Sequence, residues 1–304
     1  MYRMAKKKVK TKDEVTETNL SDSLLDSVYI NPLTDFGFKR LFYNKELLIP
    51  FLNDMIGTDL KDVTYQPTEG LGWYSVERTA IFDILCTNID DEHFVVEMQF
   101  IHQTHFRDRA LFYGSHIIRK QAPRKKRWNF DLKKAYIVSI LNFVEFTDKE
   151  SKNKVFERVY LYRESNKELF LDKLQMIFVE LPKFNKTVSE LKDNRDTWLY
   201  LLKNTVGLKS CPPEITGKPF KLFLEIAEKN QLTPTEMKSY GSSLKRTFEG
   251  RDIANYARME GRIERSKQFA IKLLKRNEPI EEIMYLSELT REQIDELLSQ
   301  IPKS

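Results

Sequence analysis

Two runs of β-forming residues, Ala80–Thr87 and His93–Ile101, are separated only by Asn88-Ile89-Asp90-Asp91-Glu92. So short and polar a connection between two such runs predicts an antiparallel hairpin. It also fixes which residues face one another, because a slip of one residue would turn every side chain to the opposite face. With the loop centred on Asp90, the numbers of opposed residues add to 180, and Asp83 falls opposite Glu97. Their Cβ atoms are then expected about 5 Å apart. Gln99 shares that face, roughly 7 Å further along.

Alternation divides the hairpin into two faces. Phe82, Ile84 and Cys86, with Phe94, Val96, Met98 and Phe100, form an apolar face that predicts core. The other face sets Ile81, Asp83, Leu85 and Thr87 against Val95, Glu97, Gln99 and Ile101. A solvated outer face is the ordinary meaning of alternating polar residues. Here, however, Ile81, Leu85, Val95 and Ile101 surround the polar group, so a second covering layer is expected. Two opposed carboxylates repel each other there, and unpaired buried charge is costly. A shared proton, an arginine or a divalent cation would neutralise them. Oxygen ligands with an open side suit Mg²⁺.

The rest of the chain alternates helix and strand patterns before turning wholly helical. Apolar residues at three- and four-residue spacing predict a helix from about Phe36 to Met55, kinked or divided at Pro50 and stopped by Gly57. A strand follows near Val63–Gln66, and after the hairpin a helix over His105 to Arg119. Strands are expected at Lys134–Asn142, Val155–Tyr162 and Gln175–Leu181. A charged helix is read at Arg251–Arg276, then a pair at Pro279–Leu286 and Arg291–Gln300, with Thr290 as N-cap and Gln293 three residues on. The fold class is therefore α/β: a mixed sheet flanked by helices, followed by a helical C-terminal region. Residues 1–27 read as a basic flexible tail opening with Lys6-Lys7-Lys8, 28–188 as the α/β core, and 189–304 as helical. The last helix carries Glu292, Asp295 and Glu296, a poor surface for a DNA groove. It suits a partner or a second copy of the chain, giving a homo-oligomer.

Of the 304 residues, 41% are hydrophobic and 12% aromatic, enough for a sizeable core. No apolar run spans a bilayer, and Met1 to Asn19 lacks a secretory signal, so no membrane partner is expected. Cys86 and Cys211 are far apart and form no metal-knuckle spacing, which suits a reduced, cytoplasmic setting. The net charge of +5 is mild on average but concentrated. Arg119, Lys120, Arg124, Lys125, Lys126, Arg127, Lys133 and Lys134 cluster against Asp131 alone, with Trp128 interleaved. Counterion release and base stacking make this a DNA-contact candidate. A solvated loop reads the same composition equally well. His102 and His105 lie near the hairpin without the further ligands that zinc gathers.

The hairpin, Phe82-Asp83-Ile84-Leu85-Cys86 with Val95-Val96-Glu97-Met98-Gln99-Phe100, resembles the D…ExQ form of the PD-(D/E)XK nuclease superfamily. More closely, the chain resembles the Rpn recombination-promoting nucleases, also labelled transposases. Asp35-Phe36-Gly37-Phe38-Lys39-Arg40-Leu41-Phe42, Arg109-Ala110-Leu111-Phe112-Tyr113, Glu180-Leu181-Pro182-Lys183-Phe184 and Tyr256-Ala257-Arg258-Met259-Glu260-Gly261 carry the rest of the likeness. The resemblance implies a restriction-endonuclease-like mixed sheet and phosphodiester hydrolysis on DNA.

It further implies that Asp83, Glu97 and the Met98 backbone carbonyl hold Mg²⁺, with Mn²⁺ as a substitute, and that Gln99 stands where the wider superfamily has lysine. An amide can orient a water but brings no positive charge. Asp35 is a further metal-ligand candidate from the first helix, its ordinary role being a cap. Glu77 is another candidate, or a solvated strand residue. Arg107 and Arg109 could clamp phosphate, or pair with Asp108 or Glu92. Two other functions fit the same residues: a DNA- or protein-binding module that kept the fold without catalysis, and a transposase that joins strands.

Overall fold

The five residues after Thr87 do close a hairpin, and the sheet grows outward from it. The computed structural model describes residues 27–68, 82–122 and 128–300. The tail to residue 26, Glu77, Arg124, Lys125, Lys126 and Arg127 lie outside the described residues. Six strands are described: β1 (Thr64–Tyr65), β2 (Ile84–Thr87), β3 (His93–Gln99), β4 (Ala135–Leu141), β5 (Phe156–Tyr162) and β6 (Leu169–Glu180). Their order is β1-β2-β3-β4-β6-β5. β2 is antiparallel to β1 and β3, and β5 is antiparallel to β6, while β4 runs parallel to both β3 and β6. The sheet is therefore mixed.

Ile84 pairs with Val96 and Thr87 with His93, the register that alternation and the loop predict. One expectation is corrected. β2 begins at Ile84, and Asp83 sits in a bend, so alternation stops there. Phe82 accordingly does not join Ile84 and Cys86. It packs with Leu85, Val95, Ile117, Ala135 and Ile137 on the opposite face.

Parallel neighbours need a crossover, and the helix α3 (Phe106–Lys120) supplies it between β3 and β4. It covers the face that carries Val95, Glu97 and Gln99, so the second layer expected over the polar group is present. Gly114 permits the close approach: a Cβ there would meet Leu174 Cδ1 at 3.0 Å and Ile137 Cδ1 at 3.2 Å.

Two helices precede the sheet, α1 (Asp35–Phe42) and α2 (Lys45–Leu52), followed by a π turn over Asn53–Gly57. The division falls at Asn44, whose side chain caps α2 by accepting from Glu46 N at 2.8 Å. Two short helices result, the alternative to a kink, but Pro50 itself lies inside α2 and the break falls six residues earlier. Thr34 caps α1 by accepting from Gly37 N at 3.1 Å. A Cβ on Gly37 would stand 2.1 Å from the Asn31 carbonyl oxygen, so this entry into α1 requires glycine.

Trp198 of α4 (Asn194–Asn204) packs edge-on against Phe51, and against Phe220 and Phe223 of α5 (Lys218–Ala227). Arg158 of β5 donates to the carbonyls of Met55 and Ile56, which ties the end of α2 to the sheet. The family-like segment Glu180–Lys183 resolves into a buried ion pair. Glu180 accepts from the amides of Glu145 and Phe146, and Lys183 donates to Glu180 and to the carbonyls of Phe146 and Ser151.

The chain forms two compact units, divided after Lys245 within the long helix α6 (Pro234–Leu274). The first contains the whole described sheet together with α1 to α5. In the second, Ala270 and Leu273 of α6 meet Ile283 of α7 (Ile280–Ser287), Leu289, and Ile294 and Leu297 of α8 (Arg291–Gln300). Thr290 and Gln293 exchange the reciprocal hydrogen bonds of a capping box, as expected. Among the described residues, no helix is long and apolar enough to cross a membrane.

Candidate active site

Among the described residues β2 starts at Ile84 while β3 continues to Gln99. Ladder pairing between them therefore ends at Ile84 and Val96, and Asp83 takes up the bonding beyond it. Its carboxylate Oδ2 accepts from the Met98 amide at 2.8 Å, and its own amide donates to Glu97 Oε1 at 3.2 Å. Each acid is thus held by the other's neighbourhood. In a strand, the N–H and C=O of one residue point to the same side. The Met98 carbonyl therefore also turns toward the Asp83 side, where β2 no longer provides a partner strand.

Glu97 is 3% exposed and Gln99 8%, whereas Asp83 is half-buried. Gln99 Nε2 donates to Glu97 Oε2 at 3.1 Å, as their shared face requires. Above them, α3 contributes Arg109, whose Nη2 lies 3.6 Å from the same Glu97 oxygen. Arg109 also donates to Tyr113 OH at 3.1 Å and to Gln103 Oε1 at 2.6 Å, and its guanidinium lies over the Tyr113 ring. A cavity of about 10 Å³ separates these residues from Ile137 and Ser139 of β4. That is room for a single water at most.

Burial raises the Glu97 pKa, and the neighbouring Asp83 raises it further. Arg109, the Asp83 amide and Gln99 act against them. Burial likewise raises Asp83, opposed by the Met98 hydrogen bond, Lys39 and Arg109 and reinforced by Asp35. The fold therefore presses two carboxylates together in a place that resists their charge, and Arg109 offsets only part of it.

The remaining candidates separate clearly. Asp35 is not the cap of α1, which is Thr34; it pairs with Lys39 at 2.6 Å. Arg107 meets neither Asp108 nor Glu92 but Glu145, with Nε 2.6 Å from Oε1, and stacks over Phe146. Arg109 joins the acids themselves. His102 bonds Glu145 at 3.0 Å while His105 faces Asp108 at 3.4 Å, so the two histidines serve different partners. Among the described residues, no group of three or more His, Cys, Asp or Glu side chains gathers in metal-binding geometry. Any ion here would rest on two carboxylates, backbone oxygen and water.

Trp128 stands apart from this cluster. It precedes β4, and its ring lies 4.9 Å from that of Phe130 at a tilt of 34°.

Sequence reading missed Lys39, Tyr43, Tyr113 and Ser139 around the acids. Tyr43 OH reaches the Asp83 carbonyl at 3.4 Å, and Ser139 is the register partner of Glu97. The four-residue spacing of Asp35, Lys39 and Tyr43 was the available signal for the first two. Ser139, a lone hydroxyl in the apolar run Ala135–Leu141, was the signal on β4.

A family model for the PD-(D/E)XK nuclease family transposases matches residues 32–257. No curated protein and no solved structure matches the chain. The matched stretch takes in well over half of the sequence, including the whole sheet and the Asp83–Glu97 hairpin. With the mixed six-stranded sheet and its flanking helices, this makes the chain a nuclease-like α/β protein that belongs to the PD-(D/E)XK nuclease family transposases.

Proposed function

We propose that this protein is a Mg²⁺-dependent DNA endonuclease, with Mn²⁺ able to substitute, that cuts with little sequence preference and thereby promotes recombination or mobile-element movement. The observation that carries this reading is the carboxylate pair Asp83 and Glu97, brought together at the end of the hairpin. Its oxygens are hard donors, and both pKa values are raised by burial, the circumstance that a divalent cation relieves. Asp83, Glu97 and the Met98 carbonyl are the ligands we assign. An ion bound there would lower the pKa of a water and offset charge growing on the scissile phosphate.

The chain's own residues orient this chemistry. Arg109 and Gln99 hold Glu97 Oε2, which fixes the carboxylate plane. With its Nε2 so engaged, Gln99 presents its carbonyl oxygen as the end able to accept a hydrogen bond from the attacking water. A carboxylate has about four lone-pair sites, so Gln99 and Arg109 on Oε2 and the Asp83 amide on Oε1 do not exhaust Glu97. Arg107 and Arg109 lie in the first turn of α3, Arg109 beside Glu97 and Arg107 on Glu145, and contacts from such cations to phosphate carry no sequence information. This is the basis for low sequence preference. Arg124, Lys125, Lys126, Arg127 and Trp128 are proposed as a second DNA contact along the basic segment. Two lone thiols, one of them buried, suit a reducing, cytoplasmic setting.

Self-association is assigned to the C-terminal helices. Ile253, Tyr256, Met259 and Ile263 form an exposed apolar stripe on α6 at three- and four-residue spacing. Both charge signs flank it, in Arg251, Arg258 and Arg262 and in Asp252, Glu260 and Glu264. A second copy can therefore match it in charge.

Supercoiled plasmid incubated with the full-length protein tests the central claim. Nicking is expected with Mg²⁺ or Mn²⁺, not with EDTA, and not with Asp83→Ala. Undiminished cutting by Asp83→Ala would refute the site. DNA binding by wild type without cutting in any metal would favour a non-catalytic binding module.

A further inference from the structure

Asp83 and Glu97 bring two acids together at this end of the hairpin, yet the strand position next to them is the uncharged Gln99. Among the described residues, α1 brings a cation whose charge acts on Asp83. Asp35, Lys39 and Tyr43 recur every fourth residue and so lie on one face of the helix and its C-cap. That face is held in two places. Tyr43 OH reaches the Asp83 carbonyl at 3.4 Å, and Lys39 Nζ lies 2.6 Å from Asp35 Oδ1. Phe38, Leu41 and Phe42, on the other side of α1, are fully buried, so the helix cannot roll the stripe away. Lys39 therefore stands one turn before the contact with Asp83, with its side chain 38% exposed.

Its charge is felt at the site. Burial works to lower the Lys39 pKa, but Asp35 and then Asp83 raise it overall. Meanwhile Arg109 is engaged with Glu97, Gln103 and Tyr113, and Arg107 with Glu145. A phosphate arriving beside Asp83 brings more negative charge to an acidic pair. A flexible ammonium, partly in solvent and aimed by a neighbouring carboxylate, is the group suited to meet it.

Resting on the nuclease reading above, we propose that Lys39 contacts a non-bridging oxygen of the scissile phosphate, so that α1 supplies the positive charge Gln99 does not bring. Asp35 is then a positioning residue, holding the ammonium on the Asp83 side. The contact is electrostatic, and no proton leaves Lys39.

Three measurements on full-length wild type, Lys39→Ala and Lys39→Arg test this. Lys39→Ala should slow Mg²⁺-dependent nicking by about a hundredfold, with Lys39→Arg recovering part of the loss. Duplex affinity measured in Ca²⁺ against salt should lose about one unit of log–log slope in Lys39→Ala. Calorimetric Mn²⁺ binding should be unchanged or tighter, because a nearby positive charge has gone. Unaltered nicking or an unaltered salt slope in Lys39→Ala would overturn the proposal. Weaker Mn²⁺ binding would also overturn it, by assigning Lys39 to shaping the carboxylates. If wild type itself fails to nick in Mg²⁺ and Mn²⁺, the nuclease reading falls, while the salt slope still decides whether Lys39 touches phosphate.

Discussion

The Met98 amide donates to Oδ2 of Asp83 across 2.8 Å, so a side chain takes the place that β2 vacates when it ends at Ile84. The acid completes the ladder and stands beside Glu97 at once, and the two roles can be separated by substitution. Asp83→Asn keeps an acceptor for Met98 and removes the repulsion with Glu97; Asp83→Ala removes both. Neither variant should nick plasmid. In thermal melts at neutral pH, Asp83→Asn should match or exceed wild type, and Asp83→Ala should fall below Asp83→Asn by roughly one hydrogen bond, about 1–2 kcal/mol. A cutting Asp83→Asn variant would remove Asp83 from the metal-ligand set.

The raised pKa of Glu97 makes metal-free stability depend on pH. The folded state holds the proton more tightly than the unfolded chain, whose glutamates titrate near about 4.3. Between the two values the folded state binds more protons, so stability falls as pH rises through that interval. Burial, the largest cause of the shift, sets this sign. Melting temperature in EDTA should therefore decline from mildly acidic to mildly alkaline pH. Mg²⁺ should reverse much of the decline, and Glu97→Gln should flatten it. A melting curve that rises over the same range without metal would contradict the assigned burial cost.

Glu180 and Lys183 are an ion pair with 0% and 6% side-chain exposure, and together they anchor the chain near Glu145. Glu180→Ala would strand the Lys183 ammonium and two backbone amides. A loss of about 3–5 kcal/mol in chemical denaturation is expected. Lys183→Met should cost a similar amount by leaving Glu180 uncompensated. A small effect from either would mean that water reaches the pair.

Self-association should be concentration-dependent and lost on charging the α6 stripe. Light scattering coupled to size exclusion should find wild type larger than a monomer, and Ile253→Asp with Tyr256→Asp monomeric. Both residues are exposed within one chain, so the double variant should keep its melting temperature. A monomeric wild type would end the assignment.

The hairpin was legible because two short-range rules agreed: period-two alternation and a loop too short for any other connection. The bend at Asp83 was not, since nothing in Phe82-Asp83-Ile84 departs from a strand pattern. Its cause is the second layer, where Phe82 packs with Ile117 and Ile137. At Pro50 the sequence rule pointed to the wrong residue, because Asn44 offers a side-chain cap and Pro50 only lacks a donor. The early start of α6 at Pro234 did have a signature. Thr233 and Glu236 form a capping box around a proline at the first helical position. Arg109 beside Glu97 could not be read at all, for it depends on how closely Gly114 lets α3 approach the sheet.

The parallel pairing of β3 with β4 sets a length scale for any polynucleotide on this surface. Gln99 and His93 are six residues apart on one strand, matched by Leu141 and Ala135 on the next. At about 3.3 Å per residue the two ends of the sheet are separated by roughly 20 Å. Stacked B-form base pairs rise about 3.4 Å each. A helix lying along the strands would need about six of them to reach from Gln99 to the end where His93 pairs with Ala135, so oligonucleotides shorter than this can engage only one end.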